Sequence, residues 1–82
     1  MNKLETREDG LYIGKKKVLK GWESFSGWYW FATELNDNGY HFGFVQGHYD
    51  EWGSFSQEEL ESLGNRVWEI KDIDLPHAGR RD

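Results

Sequence analysis

The strongest pattern in the chain is a pair of aromatic runs, "WYWFATEL" (28–35) and "YHFGFVQG" (40–47), joined by "NDNG". Aromatic and β-branched residues favour strands. Asparagine, aspartate and glycine tolerate left-handed backbone angles, so the intervening residues read as a turn. A symmetric hairpin sets Leu35 against Tyr40, Thr33 against Phe42 and Phe31 against Phe44. One face then carries Tyr29, Phe31, Thr33, Leu35, Tyr40, Phe42 and Phe44, and is assigned to the core. The other carries Trp28, Trp30, Ala32, Glu34, His41, Gly43 and Val45, with Trp30 over Gly43 and Glu34 opposite His41.

The flanks are weaker. Residues 1–10 are polar and read as a loose tail. "GLYIGKKKVLKG" reads as strands Leu11–Ile13 and Lys16–Leu19 meeting at Gly14-Lys15, a pair suited to a tight turn. Lys15, Lys16, Lys17 and Lys20 form the one basic cluster, read as an edge strand whose charges discourage sheet-to-sheet association. "GWESFSG" (21–27) reads as a loop. After "GHYDEWGSF" a short helix follows. Ser56 and Glu59 have capping-box spacing, Phe55 can clamp onto Leu60, Leu60 and Leu63 share a face, and Gly64 stops the helix. "RVWEIKDIDL" (66–75) alternates as a last strand with Trp68 and Ile70 inward, Pro76 ends it, and residues 77–82 form a second tail. The expected fold is one α+β domain spanning 1–82, an antiparallel sheet of four or five strands with one short helix against it.

Composition changes this picture in two ways. With 82 residues and no cysteine, the chain has a thin core and no disulfide or thiolate zinc site to staple it. Five tryptophans, four tyrosines and five phenylalanines supply the missing burial, at about 150–250 Å² per ring. A net charge of −5 argues against phosphate-driven nucleic-acid binding. It also argues against bases stacking on Trp28, Trp30 and His41. The N-terminal stretch has no apolar h-region and no run reaches membrane-spanning length, so the chain reads as cytoplasmic without membrane contact.

Candidate chemistry is sparse. Serines and histidines are present, but no nucleophile elbow is. Glu34, Asp50 and Glu51 could be drawn as a glycosidase pair, yet so small a domain has little room for a cleft between two acids. "ELNDNG" begins like a calcium loop, but Val45 stands where the bidentate glutamate belongs. A weak calcium site from Asp37, Asp50 and Glu51 remains an alternative; His41 and His48 lack a zinc-binding partner motif.

From about Lys16 to Leu75 the chain resembles a family of small bacterial, plasmid and phage domains of unknown function. That family carries W-L-L-T-E-L, then F-G, then P-E-L-G-Y-V-S-L-S-E-L-E. The matching features are T-E-L at 33–35, F-G at 42–43 and E-x-G-x-x-S-x-x-E-L at 51–60, with Trp52 where leucine is usual and Ser54 where tyrosine is usual. The resemblance implies an association with mobile elements but no activity.

The expected role is therefore non-enzymatic, without a cofactor: an acidic module binding another protein. Trp22, Trp28, Trp30, Tyr49 and Trp52 are the expected contacts, with Asp50 and Glu51 supplying charge. The alternatives are the weak calcium site and an acidic DNA mimic serving counter-defence.

Overall fold

The computed structural model describes residues 4–71. The expected strand residues 72–75, Pro76 and the 77–82 tail lie outside them, as do residues 1–3.

Among the described residues eight strands form two antiparallel sheets. The first contains β1 (Leu4–Arg7), β2 (Gly10–Ile13) and β3 (Lys16–Lys17). Arg7 pairs with Gly10 and Leu4 with Ile13, so part of the expected N-terminal tail is a strand. Arg7 is held from both strands: its guanidinium lies 4.2 Å from the centre of the Tyr12 ring on β2 and bonds Glu5 of its own strand at 2.7 Å. Gly14, at φ +63°, takes the first central position of the two-residue turn between Ile13 and Lys16. Lys16 and Lys17 lie on the exposed edge strand β3, where the sequence reading put them.

The second sheet runs in the order β7-β6-β5-β4-β8: β7 (Asp50–Ser56), β6 (Tyr40–Gln46), β5 (Tyr29–Glu34), β4 (Lys20–Ser24) and β8 (Val67–Ile70). Two segments that the sequence does not mark as strands are thus strands. Gly21–Ser24 is flanked by β5 and β8, and Asp50–Ser56 pairs along the whole of β6. Gly53, opposite Gly43, continues the ladder instead of turning the chain.

The hairpin register holds from Tyr29–Gln46 to Ala32–Gly43, then slips at Thr33, so Glu34 faces Phe42. Trp30 faces Val45, as the symmetric register requires, and the slip takes His41 away from Glu34. A helix, α1 (Gln57–Glu61), and a 3₁₀ turn (Gly64–Arg66) connect β7 to β8.

Both faces of the large sheet are covered. Phe31 and Phe44 pack with Leu11, Ile13, Val18 and Ile70 beneath the small sheet. Trp22 and Ala32 pack with Leu60 and Val67 beneath the helix, bordered by Trp30 and Phe55. In β5 successive residues Phe31 and Ala32 are therefore both fully buried, one toward each layer. β8 does the same with Val67 and Ile70, while Trp68 is exposed, contrary to its expected inward placement.

The helix begins as its sequence predicts. Ser56 Oγ accepts the Glu59 N–H at 3.2 Å, Phe55 packs on the layer containing Leu60, and Gly64 turns the chain at φ +63°. Leu63 is not buried with Leu60. Ser56→Ala should cost about 1 kcal/mol. The urea midpoint reads this directly, and an unchanged midpoint would mean the cap does not stabilise the fold.

Candidate functional site

The sequence-predicted contact residues do not converge on one place. Trp22 is 1% exposed, stacked on His41 at 6.0 Å and edge-on to Phe55 at 5.7 Å, so it is a core residue and no partner can touch it. Trp52 faces the other layer, stacked on Phe42 at 6.0 Å and tilted against Phe44 at 5.3 Å. Tyr49, 81% exposed, projects from the β6–β7 loop. Asp50 and Glu51 open the edge strand β7 rather than lying in a loop, and alternation sends them to opposite faces.

The calcium alternative fails on geometry. Asp37 sits in the turn before β6, whereas Asp50 pairs with Gln46 at its far end. The seven residues of β6 separate them by about 20 Å. The turn asparagines are occupied with their own loop: Asn36 Nδ2 donates to the Tyr40 carbonyl at 2.6 Å, and Asn38 Oδ1 accepts the Tyr40 N–H at 3.0 Å. Among the described residues no group of three or more histidines or carboxylates could hold a metal.

Trp28 and Trp30 do share a site. They stack at 5.9 Å on the helix side of the sheet, where with Phe25, Leu63, Arg66 and Val67 they line an open groove of about 260 Å³. Its position follows from local chemistry. Gly27, at φ +87°, closes the β4–β5 turn and leaves Phe25 74% exposed at the tip. Gly47 gives Trp28 room, since a Cβ there would lie 2.3 Å from the indole ring. His48 meets Trp28 edge-on at 5.3 Å. The opposite wall comes from the helix-to-β8 connection, tied to the turn by Phe25 N–H donating to the Arg66 carbonyl at 3.0 Å.

The polar groups of the wall are mostly spent. Ser24 Oγ accepts the Trp28 N–H at 3.1 Å and shares a 2.9 Å bond with Ser26 Oγ. The carbonyls of Ser24, Trp28, Leu63 and Arg66 accept from Gly27, Ser24, Arg66 and Phe25 respectively. Among the described residues, the Trp28 and Trp30 indole N–H groups and the Arg66 guanidinium have no hydrogen-bond partner. Between Asp50 and Ile70 six carboxylates stand against one base, Arg66, and none of them forms an ion pair among the described residues.

Two other polar clusters are internally satisfied. On the small sheet Tyr12 donates to Asp9 at 2.9 Å, and Lys17 lies 3.7 Å from the same carboxylate. The bond from Tyr12 holds the Asp9 carboxyl below its ordinary value, and it pushes the Tyr12 phenol up. Buried His41 accepts the Asn36 N–H on Nδ1 at 3.1 Å, so its proton sits on Nε2 and is donated to Gln57 Oε1 at 2.7 Å.

Phe25, Leu63 and Arg66 were not among the contact residues expected from the sequence. For Phe25 a signal existed: a large ring between two serines and before a glycine has no strand alternation to bury it. Among the described residues no helix is long and apolar enough to cross a membrane. No protein-family model, curated protein or solved structure matches the chain.

Proposed function

We propose that this protein is a non-enzymatic binding module that captures a segment of another protein in the groove between Trp28–Trp30 and Phe25–Leu63. The observation that carries this reading is the groove itself: clustered, partly exposed rings at a concave site whose indole donors are unspent. Aromatic side chains in such pockets supply most of the energy of protein recognition. At about 260 Å³ the groove falls below the ~300–1,000 Å³ typical of small-molecule sites, and it suits an anchor from a larger partner.

The non-enzymatic part is supported by how the reactive side chains are used. Among the described residues no serine hydroxyl is hydrogen-bonded to a histidine, and both His41 nitrogens are engaged elsewhere.

The test is a random-peptide display selection on the wild-type protein, followed by binding to a Phe25→Ala/Leu63→Ser variant. Both side chains are exposed, so the variant should unfold at the wild-type temperature. Selected peptides should bind it at least tenfold more weakly. Ligands that bind both proteins equally would place recognition elsewhere.

A further inference from the structure

β7 is a long strand with one neighbour. It pairs with β6 along Asp50–Ser56 and ends the large sheet, so among the described residues its other edge is open. The ladder fixes which groups that edge presents. Gln57 N–H donates to the Gly39 carbonyl at 2.9 Å, and Gly47 N–H donates to the Tyr49 carbonyl at 3.2 Å. Bonded and non-bonded partners alternate along an antiparallel pair. The bonded partners are therefore Val45–Glu51, Gly43–Gly53 and His41–Phe55, and the residues between them turn the other way. Asp50, Trp52 and Ser54 each direct an N–H and a carbonyl out of the sheet, and none of these groups has a partner among the described residues.

The edge lacks the usual defences. Exposed edge strands are ordinarily protected by lysine, proline, a bulge or a covering element. β3 has its lysines, but β7 has neither lysine nor proline, and its register runs unbroken from Asp50 to Ser56. The covering layers centre on the other strands: the small sheet packs on Phe31, Phe44 and Ile70, and the helix on Trp22, Ala32 and Val67. Asp50, Glu51, Trp52 and Ser54 stay exposed.

A strand that fits this edge is β7 itself. Antiparallel pairing through the outward groups must match even-numbered residues with even-numbered ones, and the register that engages the whole strand puts a two-fold axis at Gly53. Trp52 then exchanges both bonds with the partner's Ser54. Asp50 lies opposite the partner's Ser56, and Glu51 opposite the partner's Phe55, so no acid meets an acid. The two Glu51 side chains stand about 14 Å apart along the strand, beyond the ~8 Å screening length of physiological salt. A parallel copy in register would instead set Asp50 on Asp50 and Glu51 on Glu51. The partly exposed Trp52 ring meets a serine across the joint and has room to cover it.

We infer that two copies of this chain join through β7, fusing their five-stranded sheets into one continuous antiparallel sheet about a two-fold axis at Gly53. That axis stands perpendicular to the sheet, so the Phe25–Trp28 grooves of both copies open on the same face, and a partner with two anchors would engage both. The pairing itself does not depend on the groove.

Sedimentation and amide hydrogen exchange of the full chain, from micromolar to millimolar concentration, test this. One strand pair makes a small interface, so a concentration-dependent monomer–dimer equilibrium is expected. Each copy carries a net charge of −5, and raising the salt should strengthen the dimer. The Trp52 and Ser54 amides should gain protection with concentration, while those of Gly53 and Phe55, bonded to β6, stay protected throughout. Ser54→Pro removes an outward N–H that β6 does not use, and symmetry removes it twice. Association should weaken at least tenfold with little change in the urea midpoint. Ser54→Glu, at an exposed side chain, sets a carboxylate diagonal to the partner's Asp50 and should weaken association severalfold, with high salt restoring it. Phe25→Ala/Leu63→Ser should dimerise like the wild type, which separates this interface from the groove.

A chain that stays monomeric at millimolar concentration would overturn the inference, and would leave the edge to an extended segment of some other protein. Association that Ser54→Pro leaves unchanged and that protects none of the outward amides would overturn it too, because the interface would then lie elsewhere. Association that salt weakens would mean a contact between opposite charges, against the pairing of β7 with itself.

Discussion

Trp22→Ala should remove about 3–5 kcal/mol of stability. At about 0.05–0.15 kcal/mol per residue, a chain of 82 residues has about 4–12 kcal/mol in all, so the variant should sit close to unfolding. Trp22 occupies β4 between Trp30 and Glu69, and its ring fills the layer formed by Ala32, Leu60 and Val67. The indole also carries a cost, because its buried Nε1–H has no hydrogen-bond partner, a deficit of about 1–3 kcal/mol. Trp22→Phe removes that orphan donor while keeping a ring, so its loss should be well below that of alanine. Urea unfolding of the two variants gives the comparison. A Trp22→Ala protein with the wild-type midpoint would return this residue to the surface, where the sequence reading had placed it.

That misplacement shows what the sequence makes legible. The hairpin, its turn and the helix cap are written in neighbouring residues. "WYWFATEL", "NDNG" and Ser56 with Glu59 specify local geometry whatever surrounds them. β4 is different: "GWES" between glycines has no periodicity of its own, and it is a strand because β5 and β8 flank it. β1 and β7 are polar or glycine-containing for the same reason, their pairing being supplied by β2 and β6. The second layer was invisible too, since nothing local says that residues before Gly14 fold over Phe31 and Phe44. The site divides along the same line. Trp28 and Trp30 stand in one strong run, but Phe25, Leu63 and Arg66 meet them only after β8 pairs beside β4.

Gly43→Ala should be comparably damaging, by a different mechanism. A Cβ at Gly43 would lie 1.8 Å from the Phe31 carbonyl oxygen, 2.8 Å from its carbon and 2.9 Å from the Ala32 Cα. All three are backbone atoms, so no rotamer change relieves the contact, and β5 must move away from β6. The position is next to the irregularity at Thr33, where the register slips, and a glycine within a strand often marks such a close approach. Ala32 is fully buried on the helix side against Trp22 and Leu60, so a displaced β5 would disturb that layer and carry Trp30 with it. A loss of about 3 kcal/mol or more is expected. Gly53, directly across from Gly43 on β7, is the control. A Cβ there meets nothing within 4 Å, and Gly53→Ala should be neutral or slightly stabilising, by about 0.5 kcal/mol. The two glycines are indistinguishable by type and are direct partners in the ladder, so the difference in their urea midpoints measures the approach of β5 to β6 alone. Equal midpoints would mean that this approach does not hold the sheet together.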